Sequence, residues 1–114
     1  MKWAARARVV LAFDALVRFG LSQDAAAFGV VSKLPKVAAL TGAKSRYSSL
    51  QTTLCGWRER LLAGQVKNFE AQQLLSAGLE RSSAFPRQDE RLIEFAAEQL
   101  AEVDRFMSAL SPHS

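Results

Sequence analysis

Residues 47–61 read YSSLQTTLCGWRERL, and their apolar side chains recur at intervals of three and four residues. This spacing gathers the apolar side chains on one face of an α-helix and leaves polar side chains on the other. We predict a helix from about Ser45 to Ala63, ended by Gly64, with Leu54 and Trp57 in the core of the protein. The apolar stripe consists of Tyr47, Leu50, Leu54, Trp57 and Leu61.

A helical pattern also opens the chain. Residues 3–19 combine several arginines with apolar residues at helical spacing, which predicts a basic amphipathic helix. Gly20 is expected to end this helix, because glycine tolerates the left-handed backbone conformation found there. Asp14 and Arg18 stand four residues apart, so they are expected to form an ion pair along the helix.

Two more helices are predicted between these segments. Ser22 is expected to cap a helix that ends near Leu34, because its hydroxyl can accept a backbone N–H of the first turn. Pro35 suits the first position of a short third helix, where its missing N–H costs nothing. That helix is expected to stop at Gly42.

Two helices are predicted after the central stretch. The first runs from Asn68, its expected cap, to Arg81, with Phe69, Leu74, Leu75 and Leu79 facing inward. The second runs from about Arg87 to Leu110. Its expected inner face carries Leu92, Ala96, Leu100, Val103, Met107 and Leu110, widened by Phe95 and Phe106.

These segments predict an all-α fold, a compact bundle of five to six helices. The sequence has no hairpin turn and no sustained period-two run, which are the usual signs of strands. The 114 residues are 49% hydrophobic, enough to bury one core without metals or disulfides. We expect a single domain over residues 1–110 and a flexible tail over residues 111–114.

The composition also bears on where the protein works. The single cysteine, Cys55, forms no internal disulfide, so a cytoplasmic location is expected. The apolar run Val9–Phe13 is shorter than the roughly 7–15 apolar residues of a secretory signal. No stretch approaches the roughly 20 apolar residues of a membrane span, and we therefore expect no membrane partner.

Charge divides the chain into two unlike halves. Residues 1–60 hold ten Lys and Arg against three Asp and Glu, a net charge of +7. Residues 61–114 hold five against eight, a net charge of −3. A basic half is typical of proteins that bind nucleic acids, although a solvated surface gives the same count.

The usual catalytic groups are missing from the sequence. His113 is the only histidine, which leaves neither a catalytic triad nor a zinc site. No glycine-rich phosphate loop is present. Cys55 is expected to be an inert, partly buried thiol. The acidic stripe Glu94, Glu98 and Glu102 is expected to be a solvated helix face.

We predict that the protein is not an enzyme and has no cofactor or metal. An enzyme would need basic side chains converging inside the bundle, for which Arg6, Arg8 and Arg18 are the candidates.

Residues 35–63 resemble a helix-turn-helix motif. Ala38 lies in a short helix, Gly42 permits a turn, and the next helix carries short polar groups near its N-terminus. The apolar residues Leu50 and Leu54 fit that motif when the turn is about two residues longer than usual. The expected DNA-binding residues are Lys36, Lys44, Ser45, Arg46, Ser48, Ser49, Gln51 and Thr52.

Two hypotheses about function follow from the sequence. The first is a small regulatory protein that binds double-stranded DNA and pairs as a homodimer through its C-terminal helix. The alternative is a non-catalytic helical interaction module, such as an adaptor, chaperone or inhibitor that occludes another protein. In that hypothesis Trp3, Phe28 or Phe85 would anchor the partner if exposed.

Overall fold

The computed structural model describes residues 2–33 and 47–110. All regular structure in these ranges is helical: α1 (Lys2–Phe19), α2 (Gln23–Lys33), α3 (Tyr47–Leu62), α4 (Phe69–Ser83) and α5 (Glu90–Leu110). The radius of gyration is 13.1 Å, as expected for a compact domain of about 100 residues. The predicted all-α bundle is confirmed, whereas the predicted short helix over 35–42 and the tail over 111–114 lie outside the described residues.

Helix α1 is the central element, and the other four helices all pack against it. Its buried apolar residues are Ala5, Ala7, Val9, Val10, Leu11, Ala12, Phe13, Ala15 and Leu16. Consecutive buried residues lie on every side of a helix, so the prediction of an amphipathic α1 was wrong. The charged side chains of α1 therefore reach partners on neighbouring helices.

The helix ends within the described residues follow the predicted local signals. Ser22 accepts a hydrogen bond from the Ala25 N–H at 3.1 Å, and Asn68 accepts one from the Ala71 N–H at 2.9 Å. Gly20 and Gly64 have φ angles of +128° and +72°, where a side chain would strain the backbone. The predictions that Ser22 and Asn68 cap helices and that Gly20 and Gly64 end them are therefore confirmed.

Helix α4 packs through small residues. Its buried residues are Ala71, Leu75, Gly78 and Ser82. Phe69 is 76% exposed, so the prediction that it faces inward was wrong. A Cβ atom added to Gly78 would lie 2.4 Å from Leu11 Cδ1, which means that α4 approaches α1 at van der Waals contact.

Helix α5 buries its predicted apolar stripe against α1 as far as Val103, whereas the side chains of Met107 and Leu110 lie outside the described part of the structure. Leu92, Phe95, Ala96, Leu100 and Val103 are all at most 5% exposed. Asp89 precedes this helix, and hydrogen bonds from Arg91 lower the pKa of the Asp89 carboxyl to about 2. No described helix is long and apolar enough to cross a membrane.

The predicted ion pair between Asp14 and Arg18 does not form. Asp14 instead pairs with Arg58 of α3, with 3.4 Å between Oδ1 and Nη1. Arg18 donates hydrogen bonds to the carbonyl oxygens of Ser82 at 2.7 Å and Phe85 at 3.0 Å. A cation suits this position because carbonyl groups at a helix C-terminus lack helical partners. Tertiary partners thus replace the pairing within the helix.

Candidate nucleic-acid interface

Half of the predicted DNA-binding residues fall in a part of the chain that is not described. Lys36, Lys44, Ser45 and Arg46 lie outside the described residues. Ser48 and Ser49 belong to the first turn of α3. Gln51 is half-buried and donates a hydrogen bond from Nε2 to Gln23 Oε1 of α2 at 2.9 Å, while Thr52 is exposed.

Helix α3 is buried on one face only. Leu54, Trp57 and Leu61 are at most 5% exposed, as the apolar stripe predicts, and they pack toward α1 and α2. Thr52, Glu59, Arg60 and Leu62 are exposed. Beyond its first turn, α3 therefore exposes mainly polar side chains, together with the apolar Leu62.

A tryptophan–arginine cluster formed by Trp3, Arg6, Trp57 and Arg60 joins α1 to α3. The guanidinium carbon of Arg6 lies 4.8 Å from the ring centroid of Trp3 and 4.8 Å from that of Trp57. The two indoles meet edge to face, with centroids 6.5 Å apart. Arg60 adds a second guanidinium 5.8 Å from the Trp3 centroid. Such cation–π contacts hold the cations at fixed positions on the aromatic faces.

Positive charge is concentrated at this cluster. Burial, and then repulsion from Arg60, lower the pKa of the Arg6 guanidinium. Within the described part of the chain, neither Arg60 nor Lys67 forms an ion pair, whereas Arg81, Arg91 and Arg105 each contact a carboxylate. Because no carboxylate of the described residues pairs with Arg60 or Lys67, both cations are available to an anion from solution.

A polar cleft adjoins the cluster where the chain passes from α3 to α4. Its lining residues are Trp3, Arg60, Gln65, Val66, Lys67 and Asn68, and its volume is about 500 Å³. We call it the Lys67 cleft. Its described lining carries two cations and no carboxylate, since Glu70 lines a different cleft beside Arg8. The cleft is thus chemically suited to an anionic ligand.

The three arginines considered for an enzyme do not converge. Arg6 lies between the two indoles and Arg18 binds carbonyl groups at the end of α4. Arg8 donates a hydrogen bond to Oε1 of Gln99 at 3.0 Å, and that amide side chain is buried. Among the described residues no group of His, Cys, Asp and Glu side chains could hold a metal ion.

The predicted protein-binding anchors differ in exposure. Phe28 is 50% exposed, but Trp3 and Phe85 are half-buried and pack against the core. Arg91 also lies over the Phe85 ring, 4.9 Å from its centroid. Two other apolar side chains, Leu62 at 58% and Phe69 at 76%, are exposed without having been predicted to be so.

Comparison with known proteins found no matching family model, curated protein or solved structure. The tryptophan–arginine cluster and the Lys67 cleft were not predicted from the sequence. The sequence does contain a signal for them, because Arg60 and Lys67 flank the helix-ending Gly64. Trp3 is more than fifty residues away, and only the packing of α1 against α3 brings it to these cations.

Proposed function

We propose that this protein is a small DNA-binding regulatory protein in which the segment 35–63 contacts double-stranded DNA. The observation that carries this proposal is a pair of cations, Arg60 in the last turn of α3 and Lys67 in the connection that follows it, which no described carboxylate neutralises. They belong to a basic surface at which Arg6 and Arg60 already repel each other. An anion bound there would relieve that repulsion.

The dimensions of α3 fit this proposal. Ser49 precedes Arg60 by eleven residues, about three helical turns, so both positions lie on one side of α3 about 16 Å apart. The major groove of DNA is about 12 Å wide. With the first turn of α3 in the groove, Arg60 would reach the phosphate backbone beside it, which fixes orientation without reading sequence.

The test is salt-dependent binding to a random duplex, measured by fluorescence anisotropy. Each bound phosphate releases condensed counterions, so removing one phosphate-binding side chain should flatten the log–log slope of affinity against salt by roughly 0.9. We expect Arg46→Ala and Lys44→Ala to weaken binding and flatten the slope in this way. Changes at Gln51 or Ser48 should instead alter sequence preference if those side chains reach base edges.

Arg87→Ala is the matched control, because Arg87 is exposed in the turn before α5 and forms no ion pair with a described residue. It removes the same charge as Arg46→Ala but should leave the slope unchanged. Folded protein that binds no duplex at low salt would contradict the proposal. Equal weakening by Arg87→Ala would show that only net charge matters.

The proposal includes a homodimer through α5, and it assigns the protein to the cytoplasm. The α5 residues between Leu92 and Val103 that face α1 are buried within one chain, so the proposed interface would use the half-buried Phe106. We expect Phe106→Ser to shift the sedimentation profile from dimer to monomer, because it removes apolar area from the interface. Phe69→Ser, on α4, should leave the profile unchanged. A strict monomer at high concentration of the unaltered protein would contradict the dimer.

The interaction module is a second candidate function. Its support is the exposure of three large apolar side chains, Phe28, Leu62 and Phe69, each of which could serve as an anchor in a partner's pocket. The duplex assay separates the two candidates. Absence of duplex binding at low salt leaves the interaction module as the better hypothesis.

A further inference from the structure

We infer that the Lys67 cleft binds a phosphate ester of nucleotide size, through residues that lie beyond the DNA-binding residues predicted from the sequence at 36–52. The inference rests on the proposed function for the source of that phosphate, a nucleic-acid strand, and deepens it by naming the unit of that strand that Arg60 and Lys67 would bind. A free nucleotide offers the same phosphate chemistry.

The residues that line the cleft include several hydrogen-bond donors. Arg60 and Lys67 contribute a guanidinium and an ammonium group, and Trp3 carries an indole N–H. The Oδ1 atom of Asn68 accepts the Ala71 N–H at 2.9 Å, which leaves the NH₂ of Asn68 as the half of its amide that can donate. Phosphate oxygens accept hydrogen bonds and carry negative charge, so they match this set of donors.

The loop that carries these donors is held in place on both sides. Gly64 adopts a φ of +72°, and the Gln65 N–H donates to the Arg60 carbonyl at 3.0 Å. Val66 is buried in the core, and its carbonyl accepts a hydrogen bond from Gln72 Nε2 at 3.1 Å. A ligand therefore meets a site whose backbone is already ordered, which reduces the entropic cost of binding.

The positive charges around the cleft are not neutralised by its described lining. No carboxylate belongs to that lining, and Arg60 stands close enough to Arg6 to lower the pKa of that guanidinium. The guanidinium groups of Arg6 and Arg60 both lie over the Trp3 ring, at 4.8 Å and 5.8 Å from its centroid. A bound phosphate would supply the negative charge.

The cleft has room for a ligand larger than a bare anion. Its volume of about 500 Å³ falls within the range of roughly 300–1,000 Å³ found for sites of small organic ligands. An inorganic phosphate would fill only a small part of that space. A nucleotide unit, with sugar and base beside the phosphate, would fill it better.

The experiment is an NMR titration of the whole protein at low salt with deoxyadenosine monophosphate, and with deoxyadenosine as the matched ligand without phosphate. Trp3 and Trp57 are the only tryptophans, so their indole N–H signals report on the site separately. We expect saturable shifts of the Trp3 indole and of the backbone amides from Gln65 to Glu70 with the nucleotide only. Arg60→Gln and Lys67→Gln should each weaken this binding at least fivefold, and Arg87→Gln should leave it unchanged.

Three results would overturn the inference: no shift with the nucleotide, equal shifts with deoxyadenosine, or equal weakening by Arg87→Gln. Duplex binding measured on the same variants separates the inference from the proposed function. Nucleotide binding without duplex binding overturns only the proposed function, and duplex binding without nucleotide binding overturns only the inference. Displacement of bound duplex by the nucleotide would identify the ligand as a nucleic-acid phosphate, and lack of displacement would identify it as a free nucleotide.

Discussion

Leu54→Ala and Trp57→Ala should each lower the free energy of unfolding by about 2–5 kcal/mol. Leu54 is fully buried and Trp57 is 5% exposed, both within the stripe that attaches α3 to the bundle. Truncation to alanine leaves a cavity and forfeits the transfer free energy of the missing atoms. Trp57→Ala also removes one of the two aromatic faces that hold Arg6. The measurement is the midpoint of urea denaturation, followed by circular dichroism.

Leu62→Ala is the matched control for Leu54→Ala. Leu62 lies on the same helix and has the same side chain, but it is 58% exposed. Its truncation should change stability by less than about 0.5 kcal/mol. Equal shifts for the two leucines would mean that the assigned inner face of α3 is wrong.

The local features of the fold were predictable from sequence because their causes are local. Ser22 and Asn68 cap helices through side chains that reach backbone N–H groups three residues away. Gly20 and Gly64 end helices because glycine accepts the required φ at no steric cost. The stripe containing Leu54 and Trp57 follows from helical periodicity.

The inner face of α4 could not be predicted from hydrophobicity. Phe69 is more apolar than any of Ala71, Gly78 and Ser82, yet it is exposed and they are buried. Two helices can approach closely only where their side chains are small. At such a contact the size of a side chain, rather than its hydrophobicity, determines whether it is buried. Which residues of α4 are buried therefore depends on the position of Leu11 in α1, and the sequence of α4 alone does not give that position.

The charged residues of α1 show the same dependence on distant partners. Asp14 and Arg18 have the spacing of a helical ion pair, but an exposed pair of this kind stabilises by only about 0.3–0.5 kcal/mol. Arg18 donates two hydrogen bonds to carbonyl groups of residues more than sixty positions away. Hydrogen bonds that involve a charged group are worth about 1.5–3 kcal/mol, so the bonds to distant carbonyl groups are favoured over the ion pair within the helix.

The candidate site could not be predicted for the same reason, since Trp3 meets Arg60 only in the folded bundle.

Gly78→Ala should destabilise the protein, although alanine is the better helix former. The added methyl group would meet Leu11 Cδ1 at 2.4 Å and Cδ2 at 2.7 Å, and Leu11 is only 2% exposed. Overpacking of this kind costs about 1–3 kcal/mol, which exceeds the gain in helix propensity of up to about 1 kcal/mol. Gly56→Ala makes the same chemical change in α3, where nothing lies within 4 Å of the new Cβ atom. That variant should be stabilised by about 0.5–1 kcal/mol. Both variants gain the same helix propensity, so they should differ by the overpacking cost, about 1–3 kcal/mol in urea denaturation.

A double-mutant cycle with Leu11→Ala shows whether crowding against Leu11 causes the destabilisation. Alone, Leu11→Ala should cost about 2–5 kcal/mol, because it empties a buried site between α1 and α4. Beside Gly78→Ala it should cost less, since the new methyl group occupies part of the space that Leu11 leaves. Directly contacting residues typically couple by about 0.5–3 kcal/mol, and we expect a coupling of the favourable sign in that range. Additive effects would contradict crowding against Leu11 as the cause of the destabilisation.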